Sequence, residues 1–233
     1  MNMSENDLIQ NCNESLNDWK NFRTLTPGEM DYVSQNRFEA VYRRGEILIK
    51  QGSPASNALF LSSGMTKTYM ECSGGKNFII SIDKPGKLMT GQGSYVNSRN
   101  NFSITALTEV KACFISIEVI RHLVKVNGDF AEGMIEDICS NAFRSYVRMI
   151  SLTHKKMPGR LAETLLYFAD EVFMADEFEM ILSRQELGDM TNMARESVVR
   201  ILGEFEETGV ITSELSRVKI VDKKKLLLIS ERG

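Results

Sequence analysis

The chain has 233 residues, 42% of them hydrophobic, which is enough for one large domain or two smaller domains with separate cores. Its net charge of −3 gives no general sign of nucleic-acid binding. No run of about 18 apolar residues predicts a membrane span, and the polar, acidic start does not resemble a signal peptide, so we expect a cytoplasmic protein. The cysteines are widely separated and predict neither a disulfide framework nor a zinc site: Cys12, Cys72, Cys113 and Cys139.

The first half of the chain predicts one short helix followed by many strands. Thr26, Pro27 and Glu29 combine a helix cap, a first-turn proline and a capping-box glutamate, so a helix is expected to about Gln35. Over residues 37–117 the apolar residues alternate in short runs separated by glycine, serine, asparagine or proline. Many short strands at close spacing predict an all-β barrel or sandwich of jelly-roll type.

Helical periodicity returns after the strands. A helix is predicted over residues 117–126, and a longer one is predicted to begin at Asp129 as its cap. Apolar residues spaced by threes and fours along the longer helix predict a seam for a second helix, within the chain or in a dimer: Phe130, Met134, Ile138, Ala142, Tyr146, Met149 and Thr153. Residues 157–159, Met-Pro-Gly, interrupt this helix and predict a domain boundary.

Beyond that boundary an amphipathic helix is predicted from Arg160 to Phe173. Residues 183–211 then predict two helices joined by a tight turn at 191–193. Ser183 and Glu186 form a capping box at the start of the first helix, and Gly209 ends the second. A β-hairpin of residues 210–212 and 217–221, and a last helix from 222 to 229, complete the chain.

The second helix of this pair has one apolar and one charged face. Val198, Ile201, Leu202 and Phe205 recur at helical spacing and predict the buried stripe. Arg195, Glu196 and Arg200 lie off this stripe and face outward. Such a pair is common as an ordinary surface hairpin, and it is also the shape of a DNA-reading motif.

Three segments resemble the Crp/Fnr family of bacterial transcription regulators. In its reading helix Arg195 and Glu196 are followed, after three residues, by Arg200, as in the family's DNA-binding motif. GRLAETLLYFA resembles the helix that opens the family's winged helix-turn-helix domain, and RRGEILIKQGSPASNALFLSSGMTKTY resembles its cyclic-nucleotide-binding β-roll. The resemblance implies an α+β fold with a jelly-roll-like β-roll sensor in 1–128, a dimerisation helix in 129–157 and a winged helix-turn-helix domain in 158–233.

The resemblance also implies how DNA is bound. Arg195, Glu196 and Arg200 are expected to contact bases, because arginine donates to guanine O6 and N7 and a carboxylate accepts from cytosine. Residues expected to contact phosphates lie around the hairpin and wing: Ser183, Arg184, Gln185, Ser197 and Arg217. The implied partners are a second copy of the chain, a pseudo-palindromic duplex with TGTGA-like half-sites, and RNA polymerase. Alanine stands at position 194, where family members often have a capping serine or threonine.

The effector stays unknown at this point. Cyclic-AMP-binding members carry a Gly-Glu pair and an Arg-Ser pair around the cyclic phosphate. The matching segments here form a candidate effector pocket without that glutamate and arginine, which argues against cyclic AMP: Thr90, Gly91, Gln92, Asn100 and Asn101. Arg99 replaces the arginine only with a shifted register.

Two other cofactors can be weighed from the same sequence. Oxygen-sensing members use several N-terminal cysteines, and Cys12 alone lies there, which argues against an iron–sulfur cluster. Haem is left open, with His122, His154, a cysteine or a methionine as axial ligand.

A second function follows from charge. From residue 159 onward the chain has 10 Lys and Arg against 15 Asp and Glu, a net charge of −5. This balance favours a ligand-binding regulatory module, for haem or another small molecule, whose C-terminal domain contacts protein instead of DNA. No paired carboxylates, nucleophile–base arrangement, metal-ligand spacing or phosphate-binding loop suggests an enzyme.

Overall fold

The structure is a computed structural model that describes Leu16 and residues 19–89 and 92–233. It divides into two compact units. The first contains the described residues up to Gly75 together with Ile80–Asn141, and the second contains Lys76–Ile79 and Ala142–Gly233. No helix within the described ranges is both long and apolar enough to span a bilayer.

Eight strands form the roll of the first half: β1 (Arg37–Tyr42), β2 (Ile47–Ile49), β3 (Asn57–Ser63), β4 (Thr66–Glu71), β5 (Asn77–Asp83), β6 (Lys87–Met89), β7 (Ser103–Ala106) and β8 (Val110–Ser116). They make two four-stranded sheets with the orders β1-β8-β3-β6 and β2-β7-β4-β5. Neighbours in these sheets are mostly distant in sequence, as expected of a jelly-roll-like arrangement. The predicted β-roll is confirmed.

The turn between β3 and β4 requires glycine. Gly64 has a φ of 83°, and a Cβ atom there would lie 2.1 Å from the carbonyl oxygen of Glu109. No L side chain fits so close to a carbonyl, so the corner depends on the absence of a side chain.

The inner side of the roll is partly polar. Thr68 pairs with Ile104 across β4 and β7, so the two side chains share a face, and Ile104 belongs to an apolar cluster with Leu59 and Leu61 of the other sheet. The Thr68 hydroxyl donates to the buried carboxylate of Asp83 over 2.7 Å. A carboxylate therefore lies on the inward side of this sheet.

Two helices flank the roll, α1 (Pro27–Gln35) and α2 (Ile117–Val126). The capping box predicted for α1 is present, since Thr26 accepts from the Glu29 amide and the Glu29 carboxylate accepts from the Thr26 amide. A buried cluster packs beneath these helices, with Trp19, Phe22 and Phe130 in edge and stacked ring contacts.

The long helix α3 runs over Gly128–His154. Its cap is Asn127, two residues before the expected cap Asp129, because the Asn127 side chain accepts from the Phe130 amide. Phe130 and Met134, predicted to belong to a seam for a second helix, are instead buried in the core of the first unit. The later seam residues Ile138, Tyr146 and Met149 are exposed.

The second unit contains three further helices and a small sheet before its last helix: α4 (Met157–Tyr167), β9 (Glu177–Glu179), α5 (Arg184–Thr191), α6 (Arg195–Glu207), β10 (Ile211–Glu214), β11 (Arg217–Ile220) and α7 (Lys223–Arg232). The interruption after α3 lies at residues 155–156, and Pro158 is in the first turn of α4, where a missing amide costs nothing. A single π turn, Phe168–Val172, extends α4. The sheet order β10-β11-β9 adds a strand that the sequence did not predict.

The end of α3 is fixed to α4 and α7 by polar contacts. The Lys155 ammonium contacts the Glu163 carboxylate over 2.8 Å and the Ser230 hydroxyl over 3.2 Å, and Ser151 donates to Glu163. A Cβ atom on Gly159 would lie 2.8 Å from the Cα atom of Gly233, so α4 and the end of α7 approach at backbone distance. These contacts join the end of α3, α4 and the end of α7 within the second unit.

Candidate nucleic-acid interface

The helix α5 starts at a reciprocal cap. The Ser183 hydroxyl accepts from the Glu186 amide over 3.2 Å, and the Glu186 carboxylate accepts from the Ser183 amide over 2.8 Å. Leu187 and Met190 are buried and fix the inner face of the helix. The capping box predicted from Ser183 and Glu186 is confirmed.

The turn between α5 and α6 is held by the α5 backbone. Asn192 is left-handed, with a φ of 53°, and its amide and that of Met193 both donate to the Gly188 carbonyl. A Cβ atom on Gly188 would lie 2.6 Å from the Met193 carbonyl oxygen. A glycine at 188 and a residue tolerant of left-handed geometry at 192 therefore set the angle between the two helices.

The helix α6 buries the predicted stripe and exposes the predicted face. Its buried side chains are Val198, Ile201, Leu202 and Phe205. Arg195, Glu196 and Arg200 are exposed, and the half-exposed Val199 lies between them on the same face.

Gly209 ends α6 with a φ of 68°. The Val210 amide bonds to Phe205 over 2.8 Å and the Gly209 amide bonds to Glu206 over 3.0 Å, which is a Schellman cap. The orientation of the charged face of α6 thus follows from the burial of its opposite face and from the cap at its C-terminal end.

The charges near the C-terminal end of α6 run against its helix dipole. The first turn holds both Arg195 and Glu196, while Glu204, Glu206 and Glu207 stand near the C-terminal end, where a helix prefers cations. Arg200 Nη1 contacts Glu204 Oε1 one turn further along. This charge order does not serve the stability of the isolated helix.

The first turn of α6 has no side-chain cap. Ala194 occupies the N-cap position with extended backbone angles and makes no capping hydrogen bond. Its carbonyl accepts from the amides of Ser197 and Val198. The first amides of α6 are therefore open to an external acceptor.

Arg148 of α3 hydrogen-bonds to the backbone of α5. Its Nη2 atom donates to the Met190 carbonyl of α5 over 2.5 Å and to the Ile79 carbonyl over 2.8 Å, and its guanidinium lies over the Phe78 ring. Burial lowers the pKa of this guanidinium from its ordinary value. All three partners belong to the second unit.

The phosphate-contact candidates lie on neighbouring parts of the second unit. Gln185 donates to Asp189, Arg184 and Ser197 are partly exposed, and Arg217 contacts Glu177 over 3.5 Å. The Ser216 carbonyl accepts from the Met180 amide over 2.7 Å. The tip of the β10–β11 wing therefore lies beside Met180, which is three positions before Ser183 in the sequence. The structure thus places the wing tip beside the segment that leads into α5.

The candidate effector pocket is only partly described. Thr90 and Gly91 lie outside the described residues, and Gln92 begins a short 3-10 turn. The buried Asn100 amide donates to Ser53 and to the Pro54 carbonyl, while Asn101 accepts from Asn97. Arg99 is exposed and donates to the Gly52 carbonyl over 2.7 Å.

The named candidate haem ligands differ in exposure. His122 and His154 are both exposed, and Cys113 is fully buried within the roll. Across the described ranges, no group of three or more His, Cys, Asp or Glu side chains is arranged to hold a metal ion.

Two family profiles match the two halves. Residues 39–127 match a cyclic nucleotide-binding domain, and residues 159–229 match a Crp-like helix-turn-helix domain. The chain belongs to the Crp/Fnr family of transcription regulators. The fold and the DNA-binding winged helix-turn-helix expected from the sequence are confirmed by these matches.

Known Crp/Fnr proteins resemble this chain over most of its length. The transcriptional activator protein Anr of Pseudomonas aeruginosa is 26% identical over 193 residues, covering 81% of this chain and 78% of its own. The cAMP-activated global regulator CRP of Salmonella typhimurium is 25% identical over 176 residues, covering 74% and 84%. The solved structure of FixK2 from Bradyrhizobium japonicum has a TM-score of 0.76 at 17% identity, covering 84% of this chain and 98% of its own.

Three features of this Crp/Fnr site were not predicted. Glu204 lies four residues after Arg200, a spacing that signals a helical ion pair. The contact between Arg148 and Met190 joins residues 42 positions apart and has no sequence signal. The carboxylate of Glu177 beside Arg217 depends on the unpredicted strand β9.

Proposed function

We propose that this chain is a sequence-specific DNA-binding regulator that acts as a homodimer and reads bases with Arg195, Glu196 and Arg200 of α6, the reading helix. The observation that carries the proposal is the exposure of these three side chains on a helix whose opposite face is buried. Side chains held outward on such a helix fit the major groove, where each base pair shows a distinct donor and acceptor pattern. Because the chain carries a net negative charge, the DNA contacts are limited to a few lysine and arginine side chains.

Base contacts and phosphate contacts can be distinguished by whether the loss of binding depends on the DNA sequence. Arg195→Ala or Arg200→Ala is expected to relax preference at one base pair per half-site, by about 1–3 kcal/mol. Arg184→Ala is expected to weaken binding to every duplex alike and to lower the salt slope by about one. Fluorescence anisotropy on duplexes with single base changes, at several salt concentrations, measures both. Equal losses on all duplexes for Arg195→Ala would overturn the base-reading role.

The homodimer is proposed from the exposed face of α3. Large apolar side chains at helical spacing remain between 46% and 68% exposed there: Ile135, Ile138, Phe143, Tyr146, Val147, Met149 and Ile150. Monomers rarely leave such a continuous apolar face in water. A second copy fits it, because a twofold pair is self-complementary and also supplies two reading helices for a pseudo-palindromic site.

Cys139 offers a direct test of parallel pairing. It is exposed on the same face of α3, one turn from Ile135 and Phe143. In a parallel pair the two copies of Cys139 lie level with each other, so a short bismaleimide should join them in a Cys12→Ser, Cys72→Ser background. Adding Cys139→Ser is the control. Absence of the crosslink, together with sedimentation as a monomer, would overturn the parallel homodimer.

Each predicted segment is assigned one function. We propose residues 1–128 as the sensor, 129–157 as the dimerisation helix and 158–233 as the DNA-binding domain. RNA polymerase is proposed as a further partner because Anr is named as a transcriptional activator. The protein would act in the cytoplasm without catalysing a reaction, as its relatives are transcription regulators.

We further propose that the effector, if the roll takes one, is not cyclic AMP. The one arginine of segment 92–101, Arg99, is directed to the Gly52 carbonyl, and Asn100 is engaged with residues 53 and 54. Isothermal titration calorimetry with cyclic AMP is expected to show no binding at micromolar concentrations, and tight binding would overturn this part.

A second candidate function is a regulatory module whose C-terminal domain contacts protein. The wing favours it, because Glu177, Glu179 and Glu214 surround Arg217 and Lys219 with carboxylates. Selection from a random duplex pool distinguishes the two candidates. Enrichment of a pseudo-palindrome supports the DNA-binding function, and failure to enrich any sequence supports the protein-contacting one.

A further inference from the structure

The two outward arginines of α6 differ in their surroundings. Arg200 Nη1 contacts Glu204 Oε1 one turn away, and both side chains are about half exposed, at 56% and 47%. Arg195 makes no ion pair with any residue in the described part of the chain. One guanidinium is thus held in place on the helix surface, and the other is not.

Helix stability does not account for Glu204. An ion pair four residues apart stabilises a helix better when the acidic residue comes first, and here the arginine comes first. A carboxylate near the C-terminal end of α6 also opposes the helix dipole. A half-exposed pair of this kind contributes little to folding. A role in recognition fits the position better, since Glu204 borders the face that carries Arg200.

We propose that Glu204 is a positioning residue for DNA recognition, holding Arg200 in the geometry that reads guanine. This inference rests on the proposed base-reading role of Arg200. With Nη1 engaged by Glu204, the Nε and Nη2 edge of the guanidinium keeps two parallel donors for guanine O6 and N7. The carboxylate also repels phosphates, so it lowers binding where no guanine is present. Glu204 therefore raises discrimination at the cost of general affinity.

The test removes one acceptor atom from the DNA. The probe is the half-site enriched by the unmodified protein, with each guanine replaced in turn by 7-deazaguanine, which lacks N7. We expect the unmodified protein to lose about tenfold in affinity at the guanine read by Arg200. Glu204→Ala and Glu204→Gln should reduce that loss to about twofold while tightening binding to a mixed-sequence duplex by a few fold.

Glu207 supplies a matched control. It is an exposed carboxylate near the same end of α6, seven residues from Arg200 and too far along the helix to hold it. Glu207→Ala should tighten binding to all duplexes alike and leave the tenfold loss unchanged. If Glu207→Ala reduces the loss as much as Glu204→Ala does, only general charge matters and the inference is overturned.

The Arg200→Ala variant shows whether Glu204 acts through Arg200 or through a general effect on the structure. In Arg200→Ala protein the loss at that guanine should already be small, and adding Glu204→Ala should not change it further. An effect of Glu204→Ala that persists without Arg200 overturns the inference, as does an unchanged tenfold loss in Glu204→Ala alone. Failure of the unmodified protein to prefer any sequence would instead overturn the proposed function. Equal melting temperatures of the variants show that folding is intact.

Discussion

The turn between the two helices of the DNA-binding hairpin depends on Gly188 and Met193, because a Cβ atom at Gly188 would lie 2.6 Å from the Met193 carbonyl oxygen. Gly188→Ala is therefore expected to lower the free energy of unfolding by about 1–3 kcal/mol. Gly203→Ala is the matched control, since nothing lies within 4 Å of a Cβ there, and it should raise stability by about 0.5–1 kcal/mol. Urea unfolding followed by circular dichroism measures both, and a shift in the same direction for the two variants would contradict the close contact.

Ala194→Ser should add the missing cap of α6. A serine hydroxyl at this N-cap accepts from an amide of the first turn, so the free energy of unfolding should rise by about 1 kcal/mol. Ala194→Val provides the control, because valine has no acceptor and should give no gain. Thermal melting of both variants decides the matter, and an equal gain for valine would show that capping is not the cause.

Leu215 at the wing tip is held in the left-handed region, with a φ of 56°, and its side chain is fully exposed. Leu215→Gly removes this backbone strain without loss of packing, so stability should rise by about 0.5–1 kcal/mol. Leu227→Gly, at a half-exposed helical position in α7, should instead lower it by about 1 kcal/mol. The measurement is the midpoint of urea unfolding. A loss of stability in Leu215→Gly would falsify the strained conformation.

Arg148→Met keeps the length of the side chain but removes both hydrogen bonds to backbone carbonyls. The carbonyls of Met190 and Ile79 then lose a charged donor, which should lower the free energy of unfolding by about 1–3 kcal/mol. The exposed Lys224 of α7 is the control, and Lys224→Met should stay within about 0.5 kcal/mol. If both variants unfold at the same urea concentration, the two carbonyl contacts do not stabilise the second unit.

Features set by neighbouring residues could be predicted from the sequence. The caps at Thr26 and Ser183 and the end of α6 at Gly209 each depend on residues within one turn. The buried stripe of α6 follows from helical spacing alone. The same spacing misled at the start of α3, because Phe130 and Met134 meet a core partly made by Trp19 and Phe22, more than a hundred residues earlier.

The candidate site was predictable to a similar extent. The outward direction of Arg195, Glu196 and Arg200 required only the stripe on the opposite face. The placement of the wing tip beside Met180 depends on the bond between Ser216 and Met180, which periodicity does not encode. The directions of Arg99 and Asn100 depend on a loop at residues 52–54 that approaches from a different part of the chain.

The open first turn of α6 has a consequence for solvent exchange. With alanine as N-cap, the leading amides have no side-chain acceptor, whereas those of α5 are protected by Ser183. In the free protein, deuterium should enter the start of α6 sooner than the start of α5. A bound phosphate would supply the acceptor that this helix end lacks. Slower deuterium uptake at the start of α6 would then report directly on contact with duplex DNA.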